Sequence, residues 1–119
     1  MTENDFQKLL LEAVDGAFSS LGESARQAIY FHLETEFKMP RSEIPYRLDD
    51  FEKGLEKIFG IGTRFLEILI MKKLYQTIQP KGKILRLGEG KEFRFIDYVK
   101  AAERTFSRKR KQSQRIRSN

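Results

Sequence analysis

The chain has 119 residues, 39% hydrophobic and 34% charged, which fits one domain with a charge-rich surface or tail. Cysteine is absent and histidine occurs once, at His32, which excludes disulfides, zinc fingers, cysteine nucleophiles and histidine-rich metal sites. The net charge of +6 is unevenly placed: residues through Pro80 carry −3 and the rest carry +9.

The spacing predicts a first helix that Asn4 can cap. Phe6, Leu9, Leu10, Ala13, Val14, Ala17, Phe18 and Leu21 fall on one helical face, and Gly22 fits its stop. A second helix runs from Glu23 to Lys38. Ala25, Ala28, Ile29, His32, Leu33 and Phe37 line one face, and Tyr30 and Phe31 widen it enough to predict burial on two sides. Met39-Pro40 ends it. Arg41 to Asp50 contains Pro45 and reads as a loop with a short turn. A third helix starts at Asp49 or Asp50, turns Phe51, Leu55, Ile58 and Phe59 inward, and stops at Gly60.

The fourth helix starts near Gly62 or Thr63 and is the most apolar segment, with Phe65, Leu66, Ile68, Leu69, Ile70, Met71, Leu74, Tyr75 and Ile78. It is apolar over more than one face, so it is either the central helix or part of a homodimer interface. After Pro80 and Gly82 the period changes. Lys83–Leu87 and Lys91–Phe95 alternate around Gly88-Glu89-Gly90, which reads as a β-hairpin. Ile96, Val99, Ala102, Glu103 and Phe106 return to helical spacing, giving a fifth helix from Ile96 to Lys109.

The expected fold is therefore mainly α: a compact four-helix bundle, then a β-hairpin and a fifth, basic helix. The expected organisation is a helical domain over 1–80, a hairpin plus helix over 81–110, and a basic disordered tail over 111–119. There is no internal repeat. The start, Met1-Thr-Glu-Asn-Asp5, has no signal-peptide pattern, and the longest apolar stretch, Phe65 to Met71, is interrupted by Glu67 and too short to cross a bilayer. These features predict a soluble, cytoplasmic protein with no membrane partner.

No residue set nominates itself for catalysis. A nucleophile needs an adjacent base, and His32 is the only imidazole. Glu34 and Glu36 point to different helix sides, and Asp49-Asp50 is explained as a helix start. Gly60-Ile61-Gly62 lacks the Gly-Lys-Ser/Thr ending of a nucleotide-binding loop, while Gly82, Gly88 and Gly90 read as turn glycines. The expectation is a protein that is not an enzyme, with no catalytic residue, cofactor or metal.

The basic end is the stronger signal. From Arg104 to Asn119 seven residues are basic and none is acidic: Arg104, Arg108, Lys109, Arg110, Lys111, Arg115 and Arg117. Arg104, Arg108 and Lys111 share one helix face. Arg86, Lys91 and Arg94 add charge before them, alternating with Leu87, Phe93 and Phe95. Cations at this density displace condensed counterions from nucleic acid and bind it in a salt-dependent way. The expected contact residues are Arg86, Arg94 and those seven. The alternative is a solvated surface with Phe93 and Phe95 in the core. An acidic protein is another anionic partner.

Residues 55–69, Leu55-Glu-Lys-Ile-Phe-Gly60-Ile-Gly62-Thr-Arg64-Phe-Leu-Glu-Ile-Leu69, resemble a helix-hairpin-helix motif. The resemblance implies a turn whose backbone N–H groups hold a DNA phosphate without reading sequence, with Gly60 and Gly62 allowing close approach, Ile61 anchoring the turn and Arg64 adding charge. Phe59 stands where that family often has Pro, and Leu66 where it usually has a small residue. Capping of two successive helices also explains both glycines.

Leu10–Asp15, Ser20–Leu33, Ile44-Pro45, Leu55–Gly60 and Leu66–Met71 together resemble the small archaeal helical family described as the Nitrosopumilus output domain, over about residues 8–78. The resemblance implies a stand-alone small protein or a signalling output module that regulates by association rather than catalysis. That family supplies no catalytic or binding residues to carry over. The combined expectation is a regulatory module that associates with itself or another protein and contacts DNA or RNA through its basic end. The alternative is a protein-interaction adaptor with no nucleic-acid role.

Overall fold

The computed structural model describes residues 5–78 and 94–118, and of 108–118 the backbone alone. Five α-helices and two short 3-10 turns make up the described chain. In order these are α1 (Asp5–Ser19), α2 (Glu23–Phe37), a 3-10 turn (Arg41–Tyr46), α3 (Leu48–Phe59), a second 3-10 turn (Gly60–Gly62), α4 (Thr63–Ile78) and α5 (Phe95–Ser118).

Helix α1 forms where apolar residues recur at helical spacing, and Phe6, Leu10, Ala13, Val14, Ala17 and Phe18 are all buried. Its most extensive partner is α4, whose Leu66, Ile70, Met71, Leu74 and Ile78 close the same core. Each such side chain contributes about 1.5–3 kcal/mol when removed from water. Helix α4 also packs on α5, so it is the central helix. The apolar width that pointed to a homodimer is largely absorbed inside one molecule.

Helix α2 lies on the outside. Only Ile29 and Leu33 are buried, and Phe31 is 64% exposed, so the expected two-sided burial does not occur. The helix ends at Lys38 in the left-handed conformation (φ 54°), with the Met39 N–H donating to the Leu33 carbonyl at 3.0 Å and the Met39 side chain buried. Its approach to α3 depends on Gly54, where a Cβ would stand 2.9 Å from Leu33 Cδ2.

The expected four-helix bundle followed by a hairpin is not what forms. Among the described residues there is no strand, and five helices share one core. Most of the expected hairpin, residues 83–93, lies outside the described residues. At Arg94 and Phe95 the expected second strand is replaced by the start of α5: the Tyr98 N–H donates to the Arg94 carbonyl at 3.1 Å, the first helical bond. Phe93-Arg94-Phe95 is too short to separate a period of two from a helical one. Phe95 belongs instead to the helical stripe Phe95, Val99, Ala102, Phe106, of which the first three are buried.

This stripe ties α5 into the core through aromatic contacts. The Phe51 ring of α3 lies 6.3 Å from Phe18 of α1 and 6.3 Å from Phe95 of α5. Tyr98 meets Tyr75 of α4 edge-on at 5.6 Å, and Phe106 meets Phe6 at 5.9 Å. The helix runs on to Ser118, through the segment where composition predicts a disordered tail.

Phe51→Ala removes the ring that joins three helices and is expected to destabilise the fold by about 3–5 kcal/mol. Phe31→Ala, at an exposed site, should change stability by less than about 0.5 kcal/mol. Urea denaturation of the two variants beside the wild type measures both.

Candidate nucleic-acid interface

Helix α5 has 24 residues and is therefore about 36 Å long. Its roll about its own axis is set by the buried stripe. With 3.6 residues per turn, positions 104, 108, 111 and 115 stand about half a turn from Phe95, Val99, Ala102 and Phe106. Those four positions are Arg104, Arg108, Lys111 and Arg115. The backbone register alone thus aligns four positions held by basic residues on the side of the helix opposite the core-facing ones.

Past Phe106, the core-side positions 109, 113 and 117 are Lys, Ser and Arg. The apolar stripe that seats the helix stops there. Lys109, Arg110 and Arg117 take other sides of the same helix, so the last turns carry basic residues around the axis.

Arg104 is exposed and makes no ion pair with any described residue. Arg94 precedes the helix and lies 3.8 Å from Asp97, both side chains largely in water. A pair this exposed contributes little. Arg86 lies outside the described residues, as does Lys91.

The turn at Gly60–Gly62 follows the capping account in its backbone. Gly60 has φ 59°, a conformation that favours glycine, and closes α3 with its N–H donating to the Glu56 carbonyl. The Thr63 N–H donates to the Gly60 carbonyl as α4 begins. Ile61 is 100% exposed, so it does not anchor the turn as the motif resemblance implies. Phe65, one helical turn on, is 75% exposed. Arg64 is exposed beside them.

The arginines of the body are used differently. Asp15 Oδ1 accepts from Arg26 Nε at 2.8 Å and from the Tyr30 hydroxyl at 2.9 Å, and Arg41 lies 3.5 Å away. Arg26 and Arg41 each lie over the Tyr30 ring, at 5.5 and 5.3 Å. Arg47 donates to the Lys38 carbonyl at 2.9 Å and to Glu43 at 2.8 Å, and lies 3.2 Å from Asp50. These contacts stitch α1, α2, α3 and the Arg41–Tyr46 turn together. Burial pushes Asp15 upward, but hydrogen bonds from Arg26 and Tyr30 and the charges of Arg41 and Arg26 outweigh it, holding the carboxyl below its ordinary 3.8. Burial and the Asp15 bond push the Tyr30 phenol upward.

Sequence spacing could not find this cluster, since its members are brought together by tertiary packing. It also missed Glu67, although one signal was available: an acid inside the most apolar helix. His32 stays on the surface, with Nδ1 3.2 Å from Glu36 one turn away. Among the described residues no group of three or more His, Asp or Glu could hold a metal ion, and no helix is long and apolar enough to cross a membrane. No family model, curated protein or solved structure matches the chain.

Asp15→Asn keeps the shape but removes the charge, and is expected to cost about 1–3 kcal/mol near neutral pH. A carboxylate held low in the folded state stabilises above its unfolded value and loses that contribution as pH falls through the folded value. The gap between wild type and Asp15→Asn should therefore shrink below pH 3.8 in thermal unfolding followed against pH.

Proposed function

We propose that the protein is a non-enzymatic binding module that contacts the phosphate backbone of DNA or RNA through α5, without reading sequence. The observation that carries this reading is the register of α5. The stripe that seats the helix puts the backbone positions of Arg104, Arg108, Lys111 and Arg115 on the opposite side of the helix, and no acidic residue follows Glu103. Arg26, Arg41 and Arg47 are engaged with body carboxylates, while Arg104 has no described carboxylate to neutralise it. A cytoplasmic setting is part of the same proposal. So is a regulatory role of the output-module kind, on the resemblance over residues 8–78.

The expected affinity is electrostatic and falls steeply with salt. Replacing Arg104, Arg108, Lys111 and Arg115 together by Gln in the full chain should reduce the slope of log affinity against log salt on duplex DNA by about 3 to 4. The fold should stay intact, because none of the four belongs to the buried stripe. An unchanged slope and affinity would overturn the reading.

A second reading, association with a protein partner or another copy, is favoured by the exposed Ile61 and Phe65 at the α3–α4 turn. If it holds, sedimentation of the full chain at rising concentration shows assembly that Ile61→Ser with Phe65→Ser abolishes. A monomer at all concentrations leaves self-association without support.

A further inference from the structure

Glu67 is the one acid within the apolar run of α4, and it is only 5% exposed. No donor among the described residues reaches its Oε2. The hydrogen-bonding neighbour of this carboxyl is another carboxyl, that of Glu52 on α3. Glu56 of α3 adds a second negative charge, and Arg64, on the preceding turn of α4, opposes them in part. The Gly60–Gly62 turn brings no titratable group; the charged groups that act on Glu67 are Glu52 and Glu56 of α3 and Arg64 of α4. Two carboxyls in contact, one of them out of water, cannot both ionise without strong repulsion.

We propose that the contact between α3 and α4 is a proton-dependent latch, in which Glu67 is kept as the neutral acid that donates to Glu52, and loss of its proton drives α3 and α4 apart. The inference is independent of the nucleic-acid reading, which rests on α5. Burial, the Glu52 hydrogen bond and the charges of Glu52 and Glu56 together push Glu67 from its ordinary 4.5 up to about 8. The sign follows from which state holds the proton. Between pH 4.5 and 8 the folded chain keeps the Glu67 proton and the unfolded chain has lost it. The fold therefore weakens as pH rises through this window, by up to about tenfold in the folding constant per pH unit, and levels off above it. Exposed Ile61 lies in the turn that joins the two helices and exposed Phe65 in the first turn of α4, so the latch acts on the segment that presents them.

Carbon NMR of the side-chain carboxyls in the full chain, from pH 4 to about 9.5, tests the latch directly. The Glu67 carboxyl should titrate near pH 8, and amide exchange in α3 and α4 should quicken beyond what the intrinsic exchange rate gives as it does so. Glu52→Gln should lower that midpoint, which burial alone would not do. Unfolding experiments on Glu67→Gln should lack the wild-type decline between pH 4.5 and 8. A Glu67 midpoint near 4.5, or a decline that persists in Glu67→Gln, would overturn the proposal. Should Glu67→Gln fail to fold, the wild-type carboxyl titration decides alone.

Discussion

Phe95, Val99 and Ala102 hold α5 in a single roll against the rest of the molecule. Much follows from that constraint. A helix seated by one apolar stripe has no freedom to choose which residues face outward, because 3.6 residues per turn fixes the opposite face. Phe51 is central to the seat, since its ring touches both Phe95 and Phe18 and so links the last helix to the first. The basic face is thus a consequence of hydrophobic packing, not a separate structural feature.

The division of charge in the molecule has the same logic. In the body, the Asp15 cluster surrounds one carboxylate with two guanidinium groups and a phenol, and Arg47 binds a carbonyl and two carboxylates. Those arginines act at short range, where geometry makes each contact specific. Along α5 the sequence supplies cations without carboxylates to meet them after Glu103. Charge left in this way has a long-range effect on polyanions, set by density and salt.

The helices were largely legible because their apolar spacing is long and regular. Phe6 to Phe18 in α1 and Leu66 to Ile78 in α4 leave little choice of period. Phe95 was misread because the alternation around it was three residues long, and because one phenylalanine serves either a strand or a helix face. Phe31 was misread because a helical pattern with aromatic residues on two sides does not say which side meets the core. The alignment of Arg104, Arg108 and Lys111 could be read from spacing, but its direction could not. That direction needs the positions of Phe51 and Phe6, far away in the chain. The same holds for Asp15, which meets Arg26 and Tyr30 of α2 and Arg41 of the following turn, and for Glu67, which meets Glu52 of α3.

The absence of cysteine allows the orientation of α5 to be measured one position at a time, since any introduced thiol reports alone. Single substitutions Arg104→Cys, Arg108→Cys, Lys111→Cys and Arg115→Cys can be compared with Val99→Cys and Ala102→Cys for reaction with a soluble alkylating reagent, with and without duplex DNA. Fast reaction at the first four, slowed by DNA at low salt, against slow reaction at 99 and 102 regardless of DNA, is the result that the proposed nucleic-acid reading predicts. Equal reactivity around the helix, or no protection by DNA at any position, would contradict it.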